Sequence, residues 1–158
     1  MCAVFGINVS KTSSEVAILV NCEKVHGYTI LNDAIGFNRL LGDLKTVHSP
    51  EIIFEATGVY SRRLQAFLEE YSYAYTQLNP LEAKKQLDSL RVRKTDKIDA
   101  EKLAKSQLVH NRKATYVQEE VYQHLRDLSC FYQNMTEDLV RAKNRMHKVL
   151  QVHFPQLE

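Results

Sequence analysis

Residues 3–31 read AVFGINVSKTSSEVAILVNCEKVHGYTIL, and their pattern gives the first indication of the fold. Three short segments rich in β-branched residues, Ala3–Val9, Glu15–Asn21 and Val25–Leu31, are separated by connections of hairpin length. Segments of this composition and spacing are typical of strands joined by short turns. The stretch therefore predicts an antiparallel meander of three strands at the start of the chain.

Beyond residue 31 the pattern changes to an alternation of helices and strands. Amphipathic stretches alternate with short apolar runs, the first run following Pro50 and the second stopping at Asn79-Pro80. Because crossover helices are needed to join parallel strands, the order βββαβαβα predicts an α/β fold, a mixed sheet with helices on its faces. The predicted helices span residues 33–46, 60–71 and 81–89, and the predicted strands span residues 51–55 and 74–78.

Two further helices are predicted in the C-terminal part. Thr95 is a suitable cap for a helix over residues 96–109, whose first turn is acidic. Residues 119–153 lack Gly and Pro, and mostly apolar positions recur there at alternating intervals of four and three. This repeat is typical of a coiled-coil seam in a helix about 50 Å long. The seam positions are Val121, Leu125, Leu128, Tyr132, Met135, Leu139, Ala142, Met146 and Val149.

A helix of this length needs a partner along its seam. We expect an α/β domain over residues 1–110 and a coiled-coil helix over residues 119–153. The helix can pair as a homodimer or higher oligomer, or as an intramolecular hairpin with a further helix. Packing on its own domain is the alternative, although that domain is small.

Composition and charge narrow the class of protein. The 158 residues are 44% hydrophobic and 25% charged, which is typical of a soluble globular protein. The longest apolar runs, such as Val16–Val20, are too short to cross a bilayer, and no secretory signal is present, so a cytoplasmic protein is expected. Residues 84–113 contain 10 Lys and Arg but 4 Asp and Glu, which predicts a surface that binds a polyanion.

Three acidic residues stand at positions suited to a metal site. Glu55 ends a predicted buried strand, and Asp96 and Asp99 lie three residues apart on one face of a predicted helix. Carboxylates without His or Cys partners favour Mg²⁺ or Mn²⁺. From composition alone, a solvated first turn of the helix is the simpler interpretation of Asp96 and Asp99.

Three motifs carry a family resemblance. Phe5–Lys11, Phe54–Tyr60 and Arg93–Ala100 resemble, in the same order, the blocks of the DEDD insertion-sequence transposases, which include the Piv pilin-gene invertases. The N-terminal domain of that family is similar to RuvC, a Holliday-junction resolvase. The resemblance implies a ribonuclease H-like (RuvC-like) fold and a divalent-metal site of four acids.

One of those four acids is replaced in this sequence. Glu55, Asp96 and Asp99 match the last three metal-binding positions of the family, while Asn8 occupies the first. An amide offers one neutral oxygen where a carboxylate offers a charge, so the expected site binds metal more weakly. An engineered substitution, a decayed copy and a variant that tolerates Asn all remain open.

The resemblance and the basic run together predict nucleic-acid binding. DNA is the expected partner, and in some family members a structured guide RNA takes part. Phosphate contacts from Lys and Arg would give salt-dependent affinity, although a solvated basic face is the usual interpretation of such runs. The candidate contact residues are Lys11, Thr12, Thr57, Tyr60, Arg91, Arg93, Lys94 and Lys97.

The expected function is the N-terminal part of a transposase or site-specific DNA recombinase, acting in strand cleavage and transfer. The family also has a C-terminal domain that supplies a serine nucleophile. We expect that this chain lacks that domain and does not complete recombination alone. The alternatives are a non-catalytic module for nucleic-acid binding and dimerisation, and a RuvC-like nuclease acting on branched DNA.

Overall fold

The structure is a computed structural model that describes residues 3–87, 95–117 and 119–156, without the side chains of residues 84–87. It forms two compact units, Met1–Thr115 and Tyr116–Glu158. The first unit contains β1 (Ala3–Val9), β2 (Ser13–Val20), β3 (Glu23–Leu31), α1 (Ala34–Lys45), β4 (Glu51–Glu55), α2 (Ser61–Glu70), β5 (Tyr75–Leu78), α3 (Pro80–Leu87) and α4 (Asp96–His110). The second unit contains α5 (Glu120–His153).

The five strands form one mixed sheet with the order β3-β2-β1-β4-β5. The first three strands pair antiparallel, whereas β4 is parallel to β1 and β5 is parallel to β4. The crossovers through α1 and α2 make the parallel pairing possible, because parallel strands need such a connection. The predicted α/β architecture is confirmed.

Helices cover both faces of the sheet. On one face, Phe5 and Phe54 belong to a buried cluster that includes Leu40 of α1 and Leu64 of α2. On the other face, residues of β1, β2, β4 and β5 form a second buried cluster with α3 and α4. The members of this second cluster are Val4, Ala17, Leu19, Ile53, Leu78, Ala83, Ala100, Leu103 and Ala104. A sheet buried on both faces explains the near-continuous apolar sequence of β1 and β4.

Helix α4 lies unusually close to β1. A Cβ atom on Gly6 would lie 2.1 Å from the carbonyl oxygen of Ala100 and 2.8 Å from the Cβ of Ala104. Side chains are therefore absent or minimal on both sides of this contact. The glycine of the first strand is required for the close approach of the helix.

The β2–β3 connection is shorter than the sequence pattern indicates. We predicted a turn through Glu23 and Lys24, but both residues lie in β3, and Val20 pairs directly with Glu23. The turn consists of Asn21 and Cys22, which have positive φ angles of 51° and 72°. Two successive residues in this region match the twist that a two-residue hairpin needs. Glu23 and Lys24 were wrongly predicted as turn residues because they are polar. Polar residues are common in β3, since it is an edge strand whose side chains are mostly exposed.

The predicted helices are confirmed with small shifts at their ends. Asp33 caps α1 by accepting a hydrogen bond from the Gly36 amide at 2.8 Å, and Thr95 caps α4. The third helix begins at Pro80 rather than at residue 81, and residues 88 and 89 of its predicted range lie outside the described part of the chain.

Helix α5 has no buried residue over its 34 residues. The seam positions predicted from the sequence are exposed, among them Leu125, Leu128 and Leu139. None of the described helices is both long and apolar enough to cross a membrane.

Candidate active site

Asn8 and Glu55 lie side by side at one edge of the sheet. The pairing of parallel strands β1 and β4 extends to Ile7 and Phe54, so Asn8 and Glu55 follow at the next position of each strand. Side chains alternate along a strand, and Val4 and Ile53 belong to the cluster beneath α3 and α4. The side chains of Asn8 and Glu55 therefore belong to the same face, at its carboxyl edge.

Helix α4 brings Asp96 to this edge. The Nδ2 atom of Asn8 donates hydrogen bonds to the main-chain oxygen and to Oδ1 of Asp96, each 3.4 Å away. The geometry follows from the contact at Gly6. Four residues of helix from Ala100 back to Asp96 cover about 6 Å, nearly the length of the two strand residues from Gly6 to Asn8.

Asp99 lies in the first turn of α4, like Asp96. Asp96 is exposed, and Asn8, Glu55 and Asp99 are partly buried. Among the described residues, no three His, Cys, Asp or Glu side chains converge as a group able to hold a metal ion. The donors fit a hard cation in their chemistry, because carboxylate and amide oxygens are the ligands that Mg²⁺ and Mn²⁺ prefer. Within this set, the amide of Asn8 bonds the carboxylate of Asp96.

Most of the predicted nucleic-acid contacts lie at the same edge. Lys11 and Thr12 are exposed in the loop after β1, Thr57 and Tyr60 follow β4, and Lys97 is exposed beside Asp96. Tyr60 is 42% exposed and is therefore accessible. The Thr57 hydroxyl is buried without a hydrogen-bond partner in the described part of the chain. Arg91, Arg93 and Lys94 lie outside the described residues.

Two basic residues of the predicted run have other partners. Lys105 lies 2.7 Å from Glu101, which Lys24 also contacts at 3.0 Å. The hydrogen bonds from Lys105 and Lys24 hold the pKa of Glu101 below its usual range. Arg112 donates to the main-chain oxygen of Ser106 at 3.1 Å. The basic run is therefore not one uniform surface, and among its described residues Lys97 adjoins the candidate site.

Sequence reasoning missed one carboxylate beside Asn8. Glu15 of β2 is the register partner of Asn8, and directly paired residues on antiparallel strands share a face. Glu15 is partly buried and accepts a hydrogen bond from the Thr29 hydroxyl at 2.6 Å. Counting outward from the centre of the predicted loop, residues 10–14, would have placed Val16 opposite Asn8, so the sequence pattern did not identify Glu15 as the register partner.

Comparison with known proteins identifies the family to which the chain belongs. The family model for DEDD transposases of the IS110 type, described as Transposase, matches residues 5–155. The chain belongs to the DEDD transposase family. The predicted resemblance is confirmed, and no curated protein matches the sequence.

Solved structures show the fold of this DEDD transposase chain. The Thermus thermophilus RuvC structure has a TM-score of 0.55 at 14% identity, covering 73% of this chain and 99% of RuvC. T. thermophilus RuvC in complex with a Holliday junction substrate has a TM-score of 0.54 at 13% identity, covering 73% of this chain and 100% of RuvC. The ribonuclease H-like, RuvC-like fold is confirmed. The family and the fold together support a DNA-cleaving, transposase-type function.

Proposed function

We propose that this chain is the N-terminal domain of a DEDD transposase or site-specific recombinase, which binds divalent metal and nucleic acid for DNA strand cleavage and transfer. One observation carries the proposal: residues from three distant sequence motifs, Asn8, Glu55 and Asp96, meet at one edge of a RuvC-like sheet. We place this activity at the nucleoid, in the cytoplasm of a bacterial or archaeal cell.

The metal ligands that we propose are Glu55, Asp96 and Asp99, with the amide oxygen of Asn8 as the weakest. Transposases of this class generally use divalent ions, and we propose Mg²⁺ or Mn²⁺ here. When bound, such ions activate the attacking nucleophile and stabilise the leaving oxygen of a phosphodiester. The surrounding residues position the nucleic acid, since Lys97 and Lys11 can bind phosphate oxygens and the exposed ring of Tyr60 can stack on a base.

The shared metal site can be tested at position 8. Asn8→Asp adds a charged ligand, so we expect Mn²⁺ to bind about tenfold to a hundredfold more tightly, the range known for changes around metal sites. Isothermal titration calorimetry measures the affinity. Asn38→Asp on α1 makes the same charge change at an exposed position on the other face of the sheet and should leave Mn²⁺ affinity unchanged. Equal affinities of the Asn8→Asp variant and the unmodified protein would refute a shared site.

Nucleic-acid binding can be tested by salt titration. With about four phosphate contacts, affinity should fall roughly 100-fold between about 50 and 200 mM salt. Fluorescence anisotropy with duplex DNA, branched DNA and structured RNA, in Mg²⁺, compares the three partners. Lys97→Gln should reduce the slope of log affinity against log salt by about one. The control Lys105→Gln should leave the slope unchanged, because Lys105 is already paired with Glu101.

Absence of binding to all three nucleic acids would contradict the proposed interface. If Lys105→Gln reduced the slope of log affinity against log salt as much as Lys97→Gln, the interface would not be centred on the candidate site. A preference for branched DNA would favour the resolvase-like alternative, and a preference for structured RNA would support the guide-RNA partner.

A second function is favoured by the amide at position 8. Since Asn8 bonds Asp96 and the carboxylates do not converge, the chain can act as a non-catalytic module for nucleic-acid binding and dimerisation. Asn8→Asp separates the possibilities when it is incubated with Mn²⁺ and DNA. Cleavage by this variant alone supports a RuvC-like nuclease, whereas binding without cleavage in both forms supports the non-catalytic module.

The oligomer that we propose is a homodimer or a higher assembly through α5. Nine mostly apolar seam positions recur on a helix without a single buried residue. An isolated helix of this kind gains its stability from packing its apolar face, and a second copy offers an identical seam.

A further inference from the structure

The side chain of Asn8 connects the end of β1 to the start of α4. Its single NH₂ group faces two oxygens of Asp96, one from the main chain and one from the carboxylate, each at 3.4 Å. We call these paired hydrogen bonds the Asn8 latch. The latch joins residues 88 positions apart in the sequence, at the strand edge where the proposed metal ligands lie.

A carboxylate at position 8 would have acidic neighbours on three elements. Glu15 is its register partner on β2, Glu55 ends the adjacent strand β4, and Asp96 is the acceptor of the latch. Directly paired side chains on antiparallel strands have Cβ atoms about 5 Å apart, and like charges at that position destabilise a sheet. An acid at position 8 would therefore be repelled by Asp96 unless a cation lay between them, whereas the amide donates hydrogen bonds to Asp96 directly.

The packing of α4 on the sheet opposes a movement that would relieve such repulsion, because Ala100, Leu103 and Ala104 are buried against it. The carbonyl oxygen of Ala100 and the backbone of Ala104 lie against Gly6 so closely that no Cβ atom fits between them. This contact fixes the helix one turn beyond Asp96. The carboxylate of Asp96 must consequently be compensated by a group beside it, either a hydrogen-bond donor at position 8 or a bound cation.

We propose that Asn8 is a positioning residue that takes the structural place of a cation, holding Asp96 and the start of α4 against β1 without metal. The inference rests on the proposed function, since it uses the assignment of Asp96 as a metal ligand. It goes further in one respect: the substitution of the family's acid makes the folded site independent of metal, instead of only weakening metal binding.

The length of the two hydrogen bonds agrees with this role. Donor–acceptor distances of 3.4 Å exceed the usual 2.7–3.2 Å range, so the latch is weak. A weak neutral contact is enough to hold one end of a helix that Gly6 and the buried cluster already fix. Its removal alone should cost little, and the introduction of a charge should cost more.

The test is thermal unfolding of the full 158-residue chain, followed by circular dichroism in EDTA and in excess MnCl₂. In EDTA we expect Asn8→Asp to lower Tm by about 5 °C or more, and Asn8→Ala by about 1–3 °C. In MnCl₂ the Tm of Asn8→Asp should rise by several degrees, since a ligand that binds only the folded state stabilises it. The Tm of the unmodified protein and of Asn8→Ala should rise by less than that of Asn8→Asp, because their proposed affinity for Mn²⁺ is lower.

Asn38→Asp is the matched control, because it adds the same charge at an exposed position of α1. The inference is overturned if Asn8→Asp and Asn38→Asp have the same Tm in EDTA. It is also overturned if MnCl₂ raises the Tm of the unmodified protein as much as that of Asn8→Asp. A fall in Tm that MnCl₂ does not reverse also overturns it, since repulsion would then exist without a cation site. Nucleic acid is absent from this experiment, so failure of the proposed DNA or RNA binding leaves its outcome unaffected.

Discussion

Replacement of Gly6 by alanine is expected to lower the free energy of unfolding by about 3 kcal/mol, at the upper end of what overpacking costs. The added Cβ would lie 2.1 Å from the Ala100 carbonyl oxygen and 2.7 Å from the Ala104 amide nitrogen. Both are backbone atoms of α4, so no side-chain rotation can relieve the clash. Helix α4 must move away from β1, which opens the buried cluster on that face.

The control for this prediction is another glycine in the same chain. Gly42 lies on the exposed side of α1, and a Cβ atom there would contact nothing within 4 Å. Gly42→Ala should therefore stabilise the protein by about 0.5–1 kcal/mol through helix propensity. Urea unfolding measures both variants. Opposite signs are expected, and a Gly6→Ala variant as stable as the unmodified protein would mean that α4 does not lie on β1.

The Gly6 contact also links stability to the candidate site. Asp96 reaches Asn8 because Ala100 is pressed onto Gly6 one helical turn away. A displaced helix would carry Asp96 and Asp99 away from Glu55. Gly6→Ala should therefore lower both the stability and the affinity for Mn²⁺. Asn8→Asp should instead lower the stability in EDTA and raise the affinity for Mn²⁺.

Sequence patterns predicted most of the helices and strands, because apolar runs, caps and prolines mark their ends within a few residues. The strand Glu51–Glu55 follows Pro50 and ends where the apolar run ends, and its predicted bounds match the structure. Thr95 marks the start of α4 by the same kind of signal, a capping side chain before an acidic first turn. The polar turn residues of the β2–β3 hairpin were misjudged, since an exposed edge strand and a turn have similar composition.

The arrangement of α4 on the sheet could not be predicted in this way. Its buried residues are Ala100, Leu103, Ala104 and Gln107, a narrow stripe with small side chains and a glutamine rather than a broad apolar face. The contact that places the helix depends on Gly6, 94 residues before Ala100 in the numbering, and on the absence of side-chain atoms. Absence of atoms leaves no hydrophobic pattern for a sequence to show.

The candidate site was predicted residue by residue through the family motifs, but its internal contacts were not. The sequence showed an amide at position 8, while the bond from that amide to Asp96 follows from the fold. Glu15 was missed because it belongs to none of the three motifs and enters through strand register alone. The basic run was treated as one surface, although Lys105 and Arg112 are engaged within α4 and its C-terminal end.

Substitution of Leu139 by glutamate is expected to dissociate the proposed α5 homodimer, raising its dissociation constant by about 100-fold or more. Leu139 lies in the middle of the predicted seam, where each copy would bury this side chain against the other. A charge there must be desolvated twice, once in each copy. Sedimentation equilibrium measures the dissociation constant directly.

The neighbouring residue supplies a control that distinguishes a seam from general surface hydrophobicity. Val140 is 50% exposed, close to the 54% of Leu139, but it lies outside the repeat of four and three. Val140→Glu should leave the dimer intact, because side chains one residue apart on a helix project about 100° apart around its axis. Equal weakening by both substitutions would indicate non-specific association, and an unmodified protein that sediments as a monomer would refute pairing with a second copy. A dimer lost only in Leu139→Glu would show that the heptad repeat holds two copies together, which brings two candidate active sites into one assembly.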